Sequence, residues 1–122
     1  MANELRTAQQ LKKGVLDLLV LSLLAERPAH GYGLIQRLRE RGGPLLDLKE
    51  GTLYPVLYRL EDAGFLASAW QSPDCQPHMD KMPRKQYTVT ESGRQELARQ
   101  TALWREFSAI VDQLLGGNEH EG

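Results

Sequence analysis

The chain holds one cysteine in 122 residues. Cys75 has no partner for an internal disulfide, which fits a reducing cytosol. Charge of one sign is also missing: 15 basic residues against 16 acidic ones leave a net charge of −1. That excludes a protein coated in positive charge and strong non-specific adhesion to nucleic acid; a local basic patch stays allowed. Long apolar runs are lacking too. The best candidate, residues 18–24, follows Lys12-Lys13, but Asp17 cuts it off from Val15-Leu16 and no A-x-A cleavage pattern follows. It is too short to span a bilayer and reads as a buried helix, so a cytoplasmic protein with no membrane partner is expected. There is no internal repeat, low-complexity tract or second domain. No nucleophile–base pair and no phosphate-cradling glycine loop is present, so neither an enzyme nor a cofactor is expected. What remains is one domain with a modest core.

The rest is organised around Gly51-Thr-Leu-Tyr-Pro-Val-Leu-Tyr-Arg-Leu-Glu-Asp-Ala-Gly-Phe-Leu66. Leu53, Val56, Leu57 and Leu60 recur at helical spacing and form one apolar stripe. Pro55 is tolerated in a first turn, where its missing N–H would have no partner, so the helix is expected to begin near Gly51 or Thr52. Gly64 can take the left-handed geometry that stops it. The opposite face carries Thr52, Tyr54, Tyr58 and Arg59, whose polar groups can reach a phosphate or a base edge. The pattern suits a helix in the major groove of DNA. It also suits any amphipathic surface helix, and the neighbouring segments must decide.

Upstream, a helix is expected from Thr7 or Ala8 to Ala25. Leu16, Leu19, Val20, Leu23 and Leu24 form one face, extended by Val15, Leu18 and Leu21. So much apolar surface needs cover on most sides, part of it from a second subunit. Pro28 ends that helix, and His30 orders the turn into the next, expected over 31–41 with Tyr32, Leu34, Ile35 and Leu38 buried. Gly42-Gly43-Pro44 ends it. Two short helices joined by a glycine-containing turn are helix-turn-helix organisation.

Downstream, residues 65–70 read as a strand, 71–83 as a loop, and 84–90 as the returning strand, with Tyr87 and Val89 on one side. Lys81, Arg84 and Lys85 cluster at the tip and base of this hairpin. Behind a helix-turn-helix such a hairpin is a wing, and its cations would hold phosphates or enter the minor groove. Thr90 is a good N-cap, with Glu91 in the first turn of a helix expected to reach Leu115 and stop at Gly116-Gly117. Leu97, Trp104 and Val111 lie seven apart, as do Phe107 and Leu114, a short coiled-coil seam. At roughly 37 Å this helix is too long for so small a core to cover, so dimerisation is inferred. The fold class expected is mainly α with a small β-hairpin. Residues 8–90 would form a winged helix-turn-helix DNA-binding domain, 91–115 a C-terminal dimerisation helix, and 116–122 a disordered tail.

With those residues in hand, the chain resembles the PadR family of bacterial transcriptional regulators. The resemblance spans Leu11 to Leu115. It rests on His30-Gly31-Tyr32-Gly33, on Gly51-Thr-Leu-Tyr-Pro55 with Leu57, Arg59-Leu60-Glu61 and Gly64, and on Arg84-Lys85, Tyr87 and Thr90-Glu91. The short last helix is similar to the compact subfamily that includes the lactococcal multidrug regulator. The resemblance implies a ligand-responsive repressor that binds palindromic operator DNA as a homodimer joined through its first and last helices. It implies DNA contacts at Thr52, Tyr54 and Tyr58 and at the wing residues Lys81, Arg84 and Lys85; Pro55 and Arg59, on the same helix, complete the expected DNA-binding set. It also implies a planar aromatic effector held between subunits against Trp104, with Phe107 and Ser108 a turn further on and Asp17 lining the pore. Ser108 stands where that subfamily has an acidic residue, a departure that bears on ligand range.

Alternatives stay open for several of these residues. Trp104 can be interface core, with Leu97, Phe107, Val111 and Leu114, instead of a ligand platform. Asp17 can pair with a nearby cation rather than an effector. Cys75 and His78, with Asp74 and Asp80 close by, could take a soft metal, although structural sites usually supply four ligands. Two rival functions follow: a winged-helix protein-interaction module that never touches DNA, and a metal- or thiol-responsive regulator acting through Cys75.

Overall fold

The computed structural model describes residues 7, 11–71 and 84–116. In chain order it runs α1 (Leu16–Glu26), β1 (Ala29–His30), α2 (Gly31–Gly42), a 3₁₀ turn (Gly43–Leu46), α3 (Glu50–Asp62), β2 (Leu66–Gln71), β3 (Arg84–Val89) and α4 (Glu91–Leu114). Residues 72–83 and 117–122 lie outside the described part. So do the expectations that fall there: Lys81, the Cys75–His78 group and the C-terminal tail.

The core is aliphatic. Leu16, Val20, Leu21, Leu23 and Leu24 of α1 meet Leu34 and Leu38 of α2, then Leu53, Val56, Leu57 and Leu60 of α3, with Leu66 and Tyr87 of the sheet closing one side. Each such side chain contributes roughly 1.5–3 kcal/mol by leaving water. The four α3 residues named from spacing are all buried. α3 stops at Gly64, whose φ of +84° lets its N–H donate to the Glu61 carbonyl while Phe65 N–H donates to Leu60, both at 3.0 Å. This is a Schellman termination, and only glycine takes that φ without strain.

One expectation is extended and three need correction. The hairpin is part of a three-stranded antiparallel sheet in the order β1-β3-β2. The connector after Pro28 supplies the extra strand, pairing Ala29 with Tyr87 and His30 with Gln86; two residues are too few to show alternation. The first helix is not continuous. Residues 11–13 are helical, but Gly14 and Val15 form a turn in which their N–H groups reach back only three residues, to Leu11 and Lys12, as expected where a glycine interrupts a helix at a cost of about 1 kcal/mol. α3 begins at Glu50, with Lys49 as N-cap, which puts Pro55 in the second turn. The carbonyl that Pro55 leaves without an N–H belongs to exposed Gly51, where water can satisfy it. Tyr32 is not in the core but 54% exposed. The buried face of α2 is Gly31, Leu34 and Leu38.

α4 is anchored at its start. The Thr90 hydroxyl accepts from Gly93 N–H at 3.0 Å and donates to the Gly64 carbonyl at 2.7 Å, and Thr90 N–H donates to the Phe65 carbonyl. Gly93 sits so tightly against that carbonyl that a Cβ would overlap it. The first turns of α4 thereby join the winged-helix core, and Leu97 packs against it. Beyond them the helix, about 36 Å long at 1.5 Å per residue, extends an apolar flank into solvent.

Candidate nucleic-acid interface

α3 is buried on one side by its leucine stripe and presents Gly51, Thr52, Pro55, Tyr58 and Arg59 on the other. Tyr54 lies between. Its ring packs on Gly31 at the start of α2, where any β-carbon would strike it, and stands 6.0 Å from the Tyr58 ring at 40°. Burial raises the Tyr54 hydroxyl above the usual tyrosine range, with the Glu50 carboxylate and Tyr58 adding to it and Arg84 opposing. Tyr54 is therefore protonated at neutral pH, a neutral donor and acceptor.

The wing is tied to α3 through Glu61. One of its oxygens accepts from the Ser68 hydroxyl of β2 at 2.6 Å, and the other lies 3.8 Å from Lys85 Nζ of β3. The Lys85 ammonium is also ringed by aromatic faces: Trp70 at 5.6 Å, and Tyr58 and Tyr87 at 5.8 Å each. A cation so placed gains from the ring quadrupoles and braces helix against wing. Arg84 has no carboxylate partner among the described residues. With Lys85, Tyr32, Tyr54, Tyr58 and Trp70 it lines a groove of about 300 Å³ between α2, α3 and the wing. The His30 ring approaches the Lys85 carbonyl through Nδ1 at 3.4 Å. Burial lowers its pKa and the nearby Arg84 charge lowers it further, so the imidazole is neutral at physiological pH.

Arg59 is differently occupied. It donates two hydrogen bonds to Asp17 of α1, each 2.8 Å, in a bidentate pair, which raises its pKa. The pair fastens α3 to α1 and cancels the charge that Arg59 would bring to a phosphate. Asp17 lies outside the apolar cavity that Trp104 and Phe107 line. That cavity measures about 490 Å³, and Leu11, Val15, Leu45 and Leu46 complete most of its wall. Ser108, half-buried, donates to the Arg105 carbonyl at 3.3 Å. Along α4, Trp104 is 44%, Phe107 61% and Leu114 82% exposed, whereas Val111 is half-buried and Leu97 meets the chain's own core. One heptad series thus splits between two surroundings. Trp70 joins the groove without having been named from sequence, and Tyr32 joins it although its spacing had placed it in the core. No spacing signal points to either as a groove residue; the β2–β3 pairing, which sets Trp70 opposite Lys85, and the start of α2 bring them there.

No described helix is long and apolar enough to cross a membrane. The sequence signature described as "Transcriptional regulator PadR-like family" matches residues 20–99. A transcriptional regulator of Mycobacterium tuberculosis is 30% identical over 112 residues, 92% of this chain and 94% of that one. The negative transcriptional regulator PadR of Bacillus subtilis is 32% identical over 83 residues, 68% of this chain and 43% of that longer one. Among solved structures, a PadR family transcriptional regulator from Eggerthella lenta superposes with a TM-score of 0.76 at 37% identity, covering 93% of this chain and 92% of its own. With the exposed α3 ridge and the braced wing, these matches show that the chain belongs to the PadR-like family of transcriptional regulators, DNA-binding proteins rather than enzymes.

Proposed function

We propose that the chain is a ligand-responsive transcriptional repressor that binds a palindromic operator as a homodimer. The observation that carries the reading is the exposed ridge of α3 beside a wing held at a fixed angle by Glu61 and Lys85. Thr52, Pro55 and Tyr58 would enter the major groove, and Arg84 would take a flanking phosphate. Tyr54 would set the ring position of Tyr58. Arg59 would contribute only if its pair with Asp17 opened. Lys81, outside the described residues, is expected from the resemblance to add a further phosphate contact. Repression, rather than activation, is carried over from the negative regulator to which the chain is similar.

Dimerisation is supported by the flank of α4. Leu103, Trp104, Phe107, Ile110 and Leu114 are all at least 44% exposed in the single chain, an apolar stripe that a partner helix would cover. Such a dimer divides the chain functionally, residues 8–90 reading DNA and 91–115 setting the spacing of two reading heads. A flat aromatic effector would enter the cavity at Trp104 and Phe107. It acts only by binding one spacing of the heads more tightly than another.

In a gel-shift titration with captured operator DNA, Tyr58→Ala and Arg84→Ala weaken binding while size-exclusion chromatography still shows a dimer. Unchanged affinity rejects the assignment. Quenching of Trp104 fluorescence by planar aromatic dyes, abolished in Trp104→Phe, tests the effector site; a flat titration removes it.

A further inference from the structure

On the far side of α3 from the wing lies a second concavity, of about 270 Å³. Lys12 and Lys13 rim it from the segment before α1, and Lys49 and Thr52 from the start of α3; buried Leu16 and Leu48 form its floor. One carboxylate, Asp47, borders it, and Arg39 holds that carboxylate at 3.3 Å. None of the three lysines forms an ion pair among the described residues. The site also borders the first turn of α3, the positive end of the helix dipole, where the Thr52 N–H donates to the Lys49 carbonyl at 3.0 Å and Glu50 offsets part of that charge.

The placement has a geometric meaning. A helix in the major groove has a phosphate strand on each side, the groove being about 12 Å wide. Arg84 and the wing stand on one edge of the α3 ridge, and the three lysines on the other. Between them the ridge itself carries no free cation, because Arg59 is neutralised by Asp17. Glu50, at the start of α3, borders the wing-side groove, so in a chain of net charge −1 the free positive charge sits on the two banks and not on the ridge between them, which matches a duplex groove better than a flat anionic surface.

We propose that Lys12, Lys13 and Lys49, with the Thr52 hydroxyl, form a phosphate clamp that holds the DNA strand opposite the wing. The inference rests on the DNA-binding reading above and adds a second anchoring side to it. The clamp supplies register and affinity but no sequence choice, since phosphates are alike at every base pair.

The test compares wild type with the combined variant Lys12→Gln, Lys13→Gln, Lys49→Gln. Fluorescence anisotropy follows binding to a captured operator duplex and to a random-sequence duplex, between about 50 and 200 mM salt. Each lost phosphate contact reduces the slope of log affinity against log salt by about 0.9, or roughly 3.5-fold in affinity across that range. The expected result is a slope shallower by about 2–3 in the triple variant, with similar losses on both duplexes, and restoration by the corresponding lysine-to-arginine variant. Lys49→Gln alone, which leaves the segment before α1 intact, loses about 0.9. A steep wild-type slope left unchanged in the glutamine variants overturns the clamp alone. Absence of salt-dependent DNA binding in wild type overturns the clamp together with the DNA-binding reading.

Discussion

Gly93→Ala sets two effects of opposite sign against each other. Gly93 is the third residue of α4. Helix propensity alone says that alanine stabilises by up to about 1 kcal/mol. Packing says the reverse. A Cβ there overlaps the carbonyl oxygen of Phe65 and stands 2.7 Å from Val89 Cγ2. The carbonyl cannot swing away freely, because it accepts the Thr90 N–H at 3.0 Å. Relief requires α4 to lift off the β2 end of the sheet, an overpacking cost of about 1–3 kcal/mol. The clash is with backbone, so the upper half of that range applies, and the net effect is destabilising by about 1–2 kcal/mol. For a domain of this size that lowers Tm by roughly 3–10 °C. Thermal unfolding followed by circular dichroism, at equal protein concentration, measures it. Gly33→Ala in α2 is the control: nothing lies within 4 Å of its added carbon, so it gains about 0.5–1 kcal/mol. If Gly93→Ala stabilises as Gly33→Ala does, α4 does not start in the contact described. The projection of the Trp104–Leu114 flank would then be wrong as well, because the direction of α4 is set at that contact.

Three further outcomes follow from single contacts. The Tyr87 hydroxyl is buried without a hydrogen-bond partner among the described residues, so Tyr87→Phe is neutral or stabilising by up to about 1–3 kcal/mol; a loss of that size in urea unfolding would mean that the hydroxyl is satisfied. Burial pushes the Tyr87 pKa up to about 12. A raised folded-state value means that its contribution is present below the unfolded value near 10 and is lost as pH rises through 12; Tyr87→Phe should remove this part of the alkaline loss of stability, and an identical alkaline limb would contradict the assignment. The Asp17–Arg59 pair, 29% and 58% exposed at its side chains, is worth about 0.5–1 kcal/mol after solvent screening; a double-mutant cycle with Asp17→Asn and Arg59→Gln that returns no coupling would show that the pair does not fasten α3 to α1.

The local parts of this fold were legible because local chemistry decides them. The leucine stripe of α3, the Gly64 stop and the Thr90 cap each depend on residues within one or two turns, and each stands where spacing put it. What was not legible depends on residues distant in sequence. β1 exists only because β3 offers an unpaired edge to two residues after Pro28. The break at Gly14–Val15 was hidden by the strong leucine pattern that follows it. Tyr32 looked apolar enough for the core, but Gly31 takes the inward position so that the Tyr54 ring can approach. The candidate site divides the same way. Thr52, Pro55 and Tyr58 were visible as one face of a helix, whereas the pairing of Arg59 with Asp17 and the enclosure of Lys85 by three rings join segments far apart in the chain. Lys12 and Lys13 read as an ordinary basic pair until Lys49 is seen beside them.

Hydroxyl-radical footprinting of the purified protein on captured genomic DNA tests the central claim most directly. Two α3 ridges held by one dimer should protect two stretches on the same face of the duplex, their centres about one helical turn, roughly 34 Å, apart. Protection should fade from both together when Tyr58→Ala replaces wild type. A single protected stretch, or no protection at concentrations where the dimer is intact, would contradict the account.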